Sequence, residues 1–276
     1  AATLGVNYGM LGDNLPTPDK AYANTPRQVQ VSHTLEMYGG EYIEHHTPVR
    51  CFFARVWENL NNIPLCWRCS NTWNIDAALK AAHLGVTVTT VVSMQALGNS
   101  YPPSEGAFAD LSIMGPITDF LQTNGYPLTV NVYSYFTHAQ DVVNITLNYA
   151  LFMSDNVVVK DGKNGELGYQ NLFDAMVDAV YSALENAGGF NVDVVVTETG
   201  WPSAGNVDAR IDFAQTYINN LFAHLRSGKR APKKPGKDLE TYIFAMFNEN
   251  LKPAGVEQNF GLYYPEITTP VYHVNL

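Results

Sequence analysis

Short runs of consecutive apolar residues alternate along the chain with longer stretches in which apolar residues recur every three or four positions. Runs of the first kind lie at Thr3–Tyr8, Val49–Val56, Val86–Val92, Leu128–Tyr135, Val192–Thr197 and Thr241–Phe247. Each is apolar almost throughout, the pattern of strands covered on both faces in a parallel sheet. Between Gly9 and Pro48 only Val29–Leu35 looks strand-like. The intervening stretches predict helices. Asn74 is placed to cap one, with Ile75, Ala78, Leu79 and Ala82 at helical spacing and Gly85 to end it. Asn171–Asn186 puts Leu172, Phe173, Met176, Val177, Val180 and Leu184 on one face, and Ala209–Arg226 does the same with Ala214, Tyr217, Ile218, Leu221 and Leu225. These stripes read as core packing. Strands alternating with helices suggest either a doubly wound sheet or a (β/α)8 TIM barrel. No Gly-x-Gly-x-x-Gly or phosphate loop follows a strand, which weakens the nucleotide-binding version. The barrel's shortfall of strands falls between Gly9 and Pro48.

Composition narrows the function classes. A chain of 276 residues, 46% hydrophobic and 15% charged, can bury a sizeable core. One domain over residues 1–276 is expected, as a monomer. Lys and Arg number 16 against 26 Asp and Glu, a net charge of −10, which argues against nucleic acid as partner. Five of the 16 basic residues cluster at Lys229–Lys237, read as a solvated loop. The apolar runs are strand length, short of the ~18 residues of a membrane span. The first residues lack the basic and long apolar regions of a signal peptide, and a mature secreted chain would look the same. Cys51, Cys66 and Cys69 make no disulfide framework. Cys66 and Cys69 have no second pair and His45-His46 fits no ligand spacing, so no metal is expected. Asn144-Ile145-Thr146 is a glycosylation sequon and a weak hint of the secretory route.

In a barrel, chemistry gathers at the carboxyl ends of the strands. There the sequence puts Asn7-Tyr8, Glu58, Asn131-Val-Tyr133-Ser-Tyr135, Glu198 and Asn248-Glu249. Carboxylates, amides and tyrosines, without an activated Ser or Cys, make a carbohydrate-handling inventory. Aromatic faces stack on sugar rings, amides and carboxylates take the hydroxyls, and two carboxyls of different protonation state can cleave a glycosidic bond. The most specific segment is Val194-Val-Val-Thr-Glu198-Thr-Gly-Trp-Pro-Ser-Ala-Gly205. An apolar strand ends directly in a glutamate, Gly200 permits a tight turn and Trp201 offers a flat apolar wall. On the pattern alone, a strand-end ion pair remains open for Glu198.

That segment resembles the signature of glycoside hydrolase family 17, the plant glucan endo-1,3-β-glucosidases. Similar stretches follow in the same order: Gly5-Val-Asn-Tyr-Gly9, Gly98-Asn-Ser-Tyr-Pro-Pro-Ser104, Asn131-Val-Tyr-Ser-Tyr-Phe136, Tyr149-Ala-Leu-Phe152, Tyr169-Gln-Asn-Leu-Phe-Asp174, Phe247-Asn-Glu-Asn250 and Phe260-Gly-Leu-Tyr-Tyr-Pro265. The resemblance covers Leu97–Leu276 and the first residues. It implies a (β/α)8 barrel, retaining endo-hydrolysis of β-1,3-glucan without a cofactor, and a plant-defence role in a secreted or vacuolar setting. It implies that Glu198 is the nucleophile and that Glu249, Lys252 and Glu257 support the site, Lys252 keeping neighbouring carboxylates ionised and oriented. Glu58 falls to the general acid, with the two carboxyls roughly 5–5.5 Å apart. Trp57 stands where the family carries Asn, so an unrelated strand-end carboxylate stays open for Glu58; Glu41 and Glu44 are poorer candidates. Tyr8, Asn131, Tyr133, Tyr135 and Trp201 are expected to line the cleft, the last three as stacking platforms. Mixed-linkage β-1,3-1,4-glucan is the alternative substrate. A glucan-binding protein that has lost its chemistry is the alternative class, motivated by Trp57-Glu58. Lys20–Ser70 departs from the family and is several dozen residues short, either a barrel that has lost part of its wall or a sequence incomplete there.

Overall fold

The computed structural model describes residues 4–7, 13–16, 30–32, 51–55, 65–83, 85–229 and 231–275. In chain order its strands are β1 (Leu4–Asn7), β2 (Gln30–Ser32), β3 (Cys51–Arg55), β4 (Thr87–Ser93), β5 (Leu97–Asn99), β6 (Ala107–Phe108), β7 (Leu128–Asn131), β8 (Val159–Asp161), β9 (Leu167–Tyr169), β10 (Val194–Thr199) and β11 (Thr241–Ile243). Its helices are α1 (Leu65–Ala81), α2 (Leu111–Asn124), α3 (Ser134–Gln140), α4 (Leu147–Ala150), α5 (Leu172–Asn186) and α6 (Ile211–Arg226). A strand falls in each run that the hydrophobic pattern marked, Val29–Leu35 included.

The chain forms two compact units, one of Ala1–His33, Val132–Asp178 and Val196–Leu276, the other of Thr34–Asn131 and Ala179–Val195. In the first, β1 runs parallel to both β2 and β11, with Val6 opposite Val31 and Ile243. The Val196–Thr199 part of β10 runs parallel to β11 in turn. α6 buries Ala214, Tyr217, Ile218, Leu221, Phe222 and Leu225 at helical spacing, and its Tyr217 hydroxyl meets Thr199 Oγ1 of β10 at 2.6 Å. The antiparallel pair β8–β9 lies outside this sheet. In the second unit β4 lies between β3 and β7, again in parallel, with Phe53 opposite Thr89 and Val92 opposite Val130. Val88, Val92, Leu128 and Val130 are almost fully buried. This continuous burial explains why these strands read as unbroken apolar runs rather than alternating ones.

The structure differs from the sequence reading in the antiparallel pairs β5–β6 and β8–β9, which no apolar run marked, and in helix boundaries. α5 begins where expected, and Asn171 caps it by accepting the Asp174 N–H through Oδ1 at 2.8 Å. α1 differs: Asn74 lies inside it, nine residues beyond Leu65 where it starts. The end differs too, since His83 takes the left-handed conformation (φ 56°) and donates its N–H to Lys80 O, so the helix stops before Gly85. α2 is capped by Asp110, whose carboxylate accepts the Ser112 N–H at 2.8 Å, and closes on left-handed Gly125.

Candidate active site

The site grows from an irregularity in β10. Val196 pairs with Thr241 and Thr199 with Ile243, so β10 spends three steps where β11 spends two. The extra residue falls at Thr197–Glu198. A bulge turns the strand and re-aims the side chain that follows it. It also frees backbone carbonyls that need donors, and the first unit supplies them. The buried Asn7 of β1 gives its amide N–H to Thr197 O at 2.7 Å, Val132 N–H reaches Glu198 O at 2.8 Å, and Phe244 N–H reaches Thr199 O at 2.8 Å. The peptide carrying Glu198 is thereby tied to three other segments.

The Glu198 side chain is half-buried, and the Tyr133 hydroxyl donates to its Oε2 at 2.9 Å. Burial pushes the Tyr133 hydroxyl well above its ordinary value; the charge of Glu198, its acceptance of the hydrogen bond, and the charges of Glu257 and Glu249 push it further. The phenol therefore keeps its proton and remains a donor, and three of the expected carboxylates act on this one hydroxyl. Edge contacts to Phe136 at 5.4 Å and Phe260 at 5.5 Å hold its ring.

Glu249 and Glu257 come from a doubled-back segment after β11. Ala245 N–H donates to Phe260 O, Leu262 N–H to Ala245 O and Asn248 N–H to Tyr263 O. The side chain of Asn248 accepts the Gly261 N–H at 2.8 Å. Glu249, 2% exposed, ends this zipper with its N–H on Gln258 O at 3.3 Å. Gln258 in turn donates its amide to the carbonyls of Asn250 and Lys252. Glu257 is half-buried in the short turn Val256–Gln258. Lys252 bonds through its N–H to Glu249 O, and its ammonium lies over the Phe244 ring at 5.1 Å from the centroid.

Two of the three rings expected to present flat faces are placed otherwise. Trp201 and Tyr135 are each 1% exposed. Trp201 donates Nε1–H to Asp208 O at 2.8 Å, stacks on His138 at 5.9 Å and meets Tyr135 at 5.2 Å and Tyr217 at 5.6 Å. The Tyr135 hydroxyl donates to Val207 O at 3.0 Å. Their faces are covered by protein, so they pack the turn behind Glu198 rather than offer a surface to a ligand. Tyr133 stays half-exposed, and so does Asn131 at the end of β7 in the second unit. Asn144 is exposed, with Asp141 accepting from its backbone and side-chain N–H groups. Tyr8 and Glu58 lie outside the described residues, and with Glu58 the expected carboxyl separation. No cluster of three metal-ligating side chains occurs among the described residues.

Sequence reasoning passed over two contributors. Asn7 stood beside Tyr8 at a strand end, but nothing local shows that its amide would serve a carbonyl 190 positions away. Phe260 was visible only as part of a motif; its role as a wall of Tyr133 depends on the zipper.

A family model described as glycosyl hydrolases family 17 matches residues 64–276. The chain is 40% identical to a putative glucan endo-1,3-beta-glucosidase GVI of Hordeum vulgare, over 99% of its own length and 96% of that protein's. It is 48% identical to a glucan endo-1,3-beta-glucosidase, basic vacuolar isoform, of Nicotiana tabacum, over 73% of this chain and 54% of that one. Among solved structures, CJP38, a beta-1,3-glucanase and allergen of Cryptomeria japonica pollen, superposes with a TM-score of 0.84 at 36% identity, covering 99% of this chain and 98% of that one. The expected (β/α)8 fold class holds. The family match begins only at residue 64, beyond most of the segment that departs from the motif pattern.

Proposed function

Because the chain belongs to glycosyl hydrolase family 17, we propose that it is a retaining glycosidase that cuts β-1,3-glucosidic bonds within β-glucan chains. The observation that carries the reading is Glu198 on the β10 bulge with the Tyr133 hydroxyl on its Oε2 at 2.9 Å. A nucleophilic carboxylate must be ionised and held at a set angle to the sugar. The Tyr133 donor favours the ionised form and fixes the carboxylate plane.

In the first step Glu198 attacks the anomeric carbon. The bond to the leaving oxygen breaks, and that oxygen takes a proton from the general acid, assigned to Glu58. In the second step Glu58, now ionised, takes a proton from water. The water oxygen displaces Glu198 and releases the sugar with its original configuration. Glu249 and Glu257 add negative potential around Tyr133, which favours the cationic character that develops at the sugar in both transition states. Neither step calls on a metal or organic cofactor.

The chain is read as one hydrolase domain acting as a monomer, in a secreted or vacuolar setting like that named for the tobacco relative. No described helix is long and apolar enough to cross a membrane. The test is Glu198→Gln, assayed by release of reducing ends from a soluble β-1,3-glucan. Turnover is expected to drop by at least about 10³-fold, the scale on which loss of a nucleophile is felt, with the melting temperature little changed. Persistence of turnover in the variant overturns the assignment.

A further inference from the structure

Within the first unit a cavity of about 510 Å³ opens between the end of α4, the start of α5 and the outer face of α6. That volume falls in the roughly 300–1,000 Å³ range of small-ligand sites. Its lining is unlike that of an incidental crevice. Phe152 forms one wall and adopts φ 59°. It occupies the position just past α4 that closes a helix through a 6→1 bond, here Met153 N–H to Asn148 O at 2.8 Å, where glycine is the ordinary residue. A bulky residue held left-handed costs on the order of 1 kcal/mol or more. What the strained position yields is a ring set against His224 at 5.4 Å and Tyr217 at 5.6 Å, still half-exposed at the cavity.

Beside the ring lies a polar group bonded within itself. His224 Nε2 meets Asp174 Oδ1 at 3.0 Å, and Asn171 donates its amide to Asp174 Oδ2 at 2.8 Å. All three lie low in the cavity, with side-chain exposures of 11% for His224 and 9% for Asp174. Around the rim stand Gln170, Asn220 and Lys229. One aromatic wall, several amides, a carboxylate paired with His224 and one rim ammonium of opposite sign, Lys229, leave the lining without a concentration of either charge. Such a lining suits a neutral polyhydroxylated ligand that has an apolar face, which is the chemistry of a glucosyl unit. The rings of Phe152, Tyr217 and Trp201 stand in series between this cavity and the Glu198 turn, so the cavity is separate from the site of cleavage.

We propose that this cavity is a second glucan-binding site that holds the polymer away from the point of cleavage. The ligand is taken from the function proposed above; the site itself is independent of it. Ala223 lines the cavity from the exposed face of α6, so Ala223→Trp fills the space without removing a packing contact. Retention on insoluble β-1,3-glucan particles is compared for Glu198→Gln and Glu198→Gln/Ala223→Trp, with Glu198→Gln/Gln170→Ala as the milder variant. Added tryptophan is expected to lower the retained fraction at least threefold, and Gln170→Ala to lower it less. In the active protein, Ala223→Trp is expected to leave kcat/KM on a soluble β-1,3-linked glucose tetramer within twofold of the parent. Equal retention of all three proteins overturns the proposal, as does absent retention of Glu198→Gln or a parallel loss of tetramer hydrolysis. A parent that fails to hydrolyse the tetramer sinks the functional reading instead and leaves the retention comparison intact.

Discussion

The phenol of Tyr133 sits where the fields of Glu198, Glu249 and Glu257 overlap, and burial with those charges keeps it protonated. Its hydrogen bond joins a neutral donor to a charged acceptor, worth about 1.5–3 kcal/mol. Tyr133→Phe keeps the ring contacts with Phe136 and Phe260 but loses that donor. The expected result is a fall in kcat/KM of roughly 10- to 100-fold, read by steady-state kinetics on a soluble β-1,3-glucan, with a melting temperature lower by several degrees. A change under twofold would mean that Glu198 is oriented by other means. At this scale the sequence was informative about Glu198, because a carboxylate directly ending an apolar strand is visible in one dimension. It was uninformative about Trp201. A tryptophan beside a candidate nucleophile has the same appearance whether its face meets sugar or, as here, His138 and Tyr135.

Elements set the angle at which Glu198 is presented. The bulge on β10 turns the strand, and Gly200 lets the chain leave it against β11's continuation. A Cβ on Gly200 would lie 2.3 Å from Phe244 O and 3.2 Å from the Phe260 ring. The carbonyl is backbone, so it cannot swing aside as a flexible side chain would. Gly200→Ala is expected to cost at least about 2 kcal/mol of stability, measured by denaturant unfolding. It should also cut turnover, because the displaced turn carries Glu198 with it. Wild-type stability in this variant would show that the close approach is relieved elsewhere. Parallel strands such as β4, β7 and β10 were legible because burial on both faces leaves an apolar run, whereas the short antiparallel strands β5, β6, β8 and β9 carry no such run and left no mark. The limits of α1 were not legible either: Asn74 has the side chain of a cap, yet capping depends on whether the preceding backbone is already helical, and here it is. The bulge left no mark in sequence, since it is defined by the register against β11.

At the scale of the whole molecule, a buried carboxyl that the proposed chemistry does not use makes stability depend on pH. Asp178 is fully buried, and burial raises its carboxyl to about 7, against the hydrogen bonds from Lys233 N–H at 2.7 Å and the Tyr169 hydroxyl at 3.1 Å. The folded state thus holds this proton to higher pH than the unfolded state does. Stability is lost as pH rises from about 4 to about 7 and is level above that, by up to roughly 4 kcal/mol from this group. Asp178→Asn removes the charge and keeps an acceptor for both donors. Its melting temperature relative to the parent is expected to climb from pH 5 to pH 8 and then stay constant. A difference that does not vary with pH would place the ionisation elsewhere.

The order of the strands, the buried face of α6, the carbohydrate-handling inventory and the family itself were determined by sequence, because each rests on residue identity or on a period of a few positions. Tertiary structure alone decided the β10 bulge, the bond between Tyr133 and Glu198 across 65 positions, the burial of Trp201 and the cavity beside Phe152. Each of these depends on which distant segment covers a given face, and a local pattern of hydrophobic and polar residues carries no record of that.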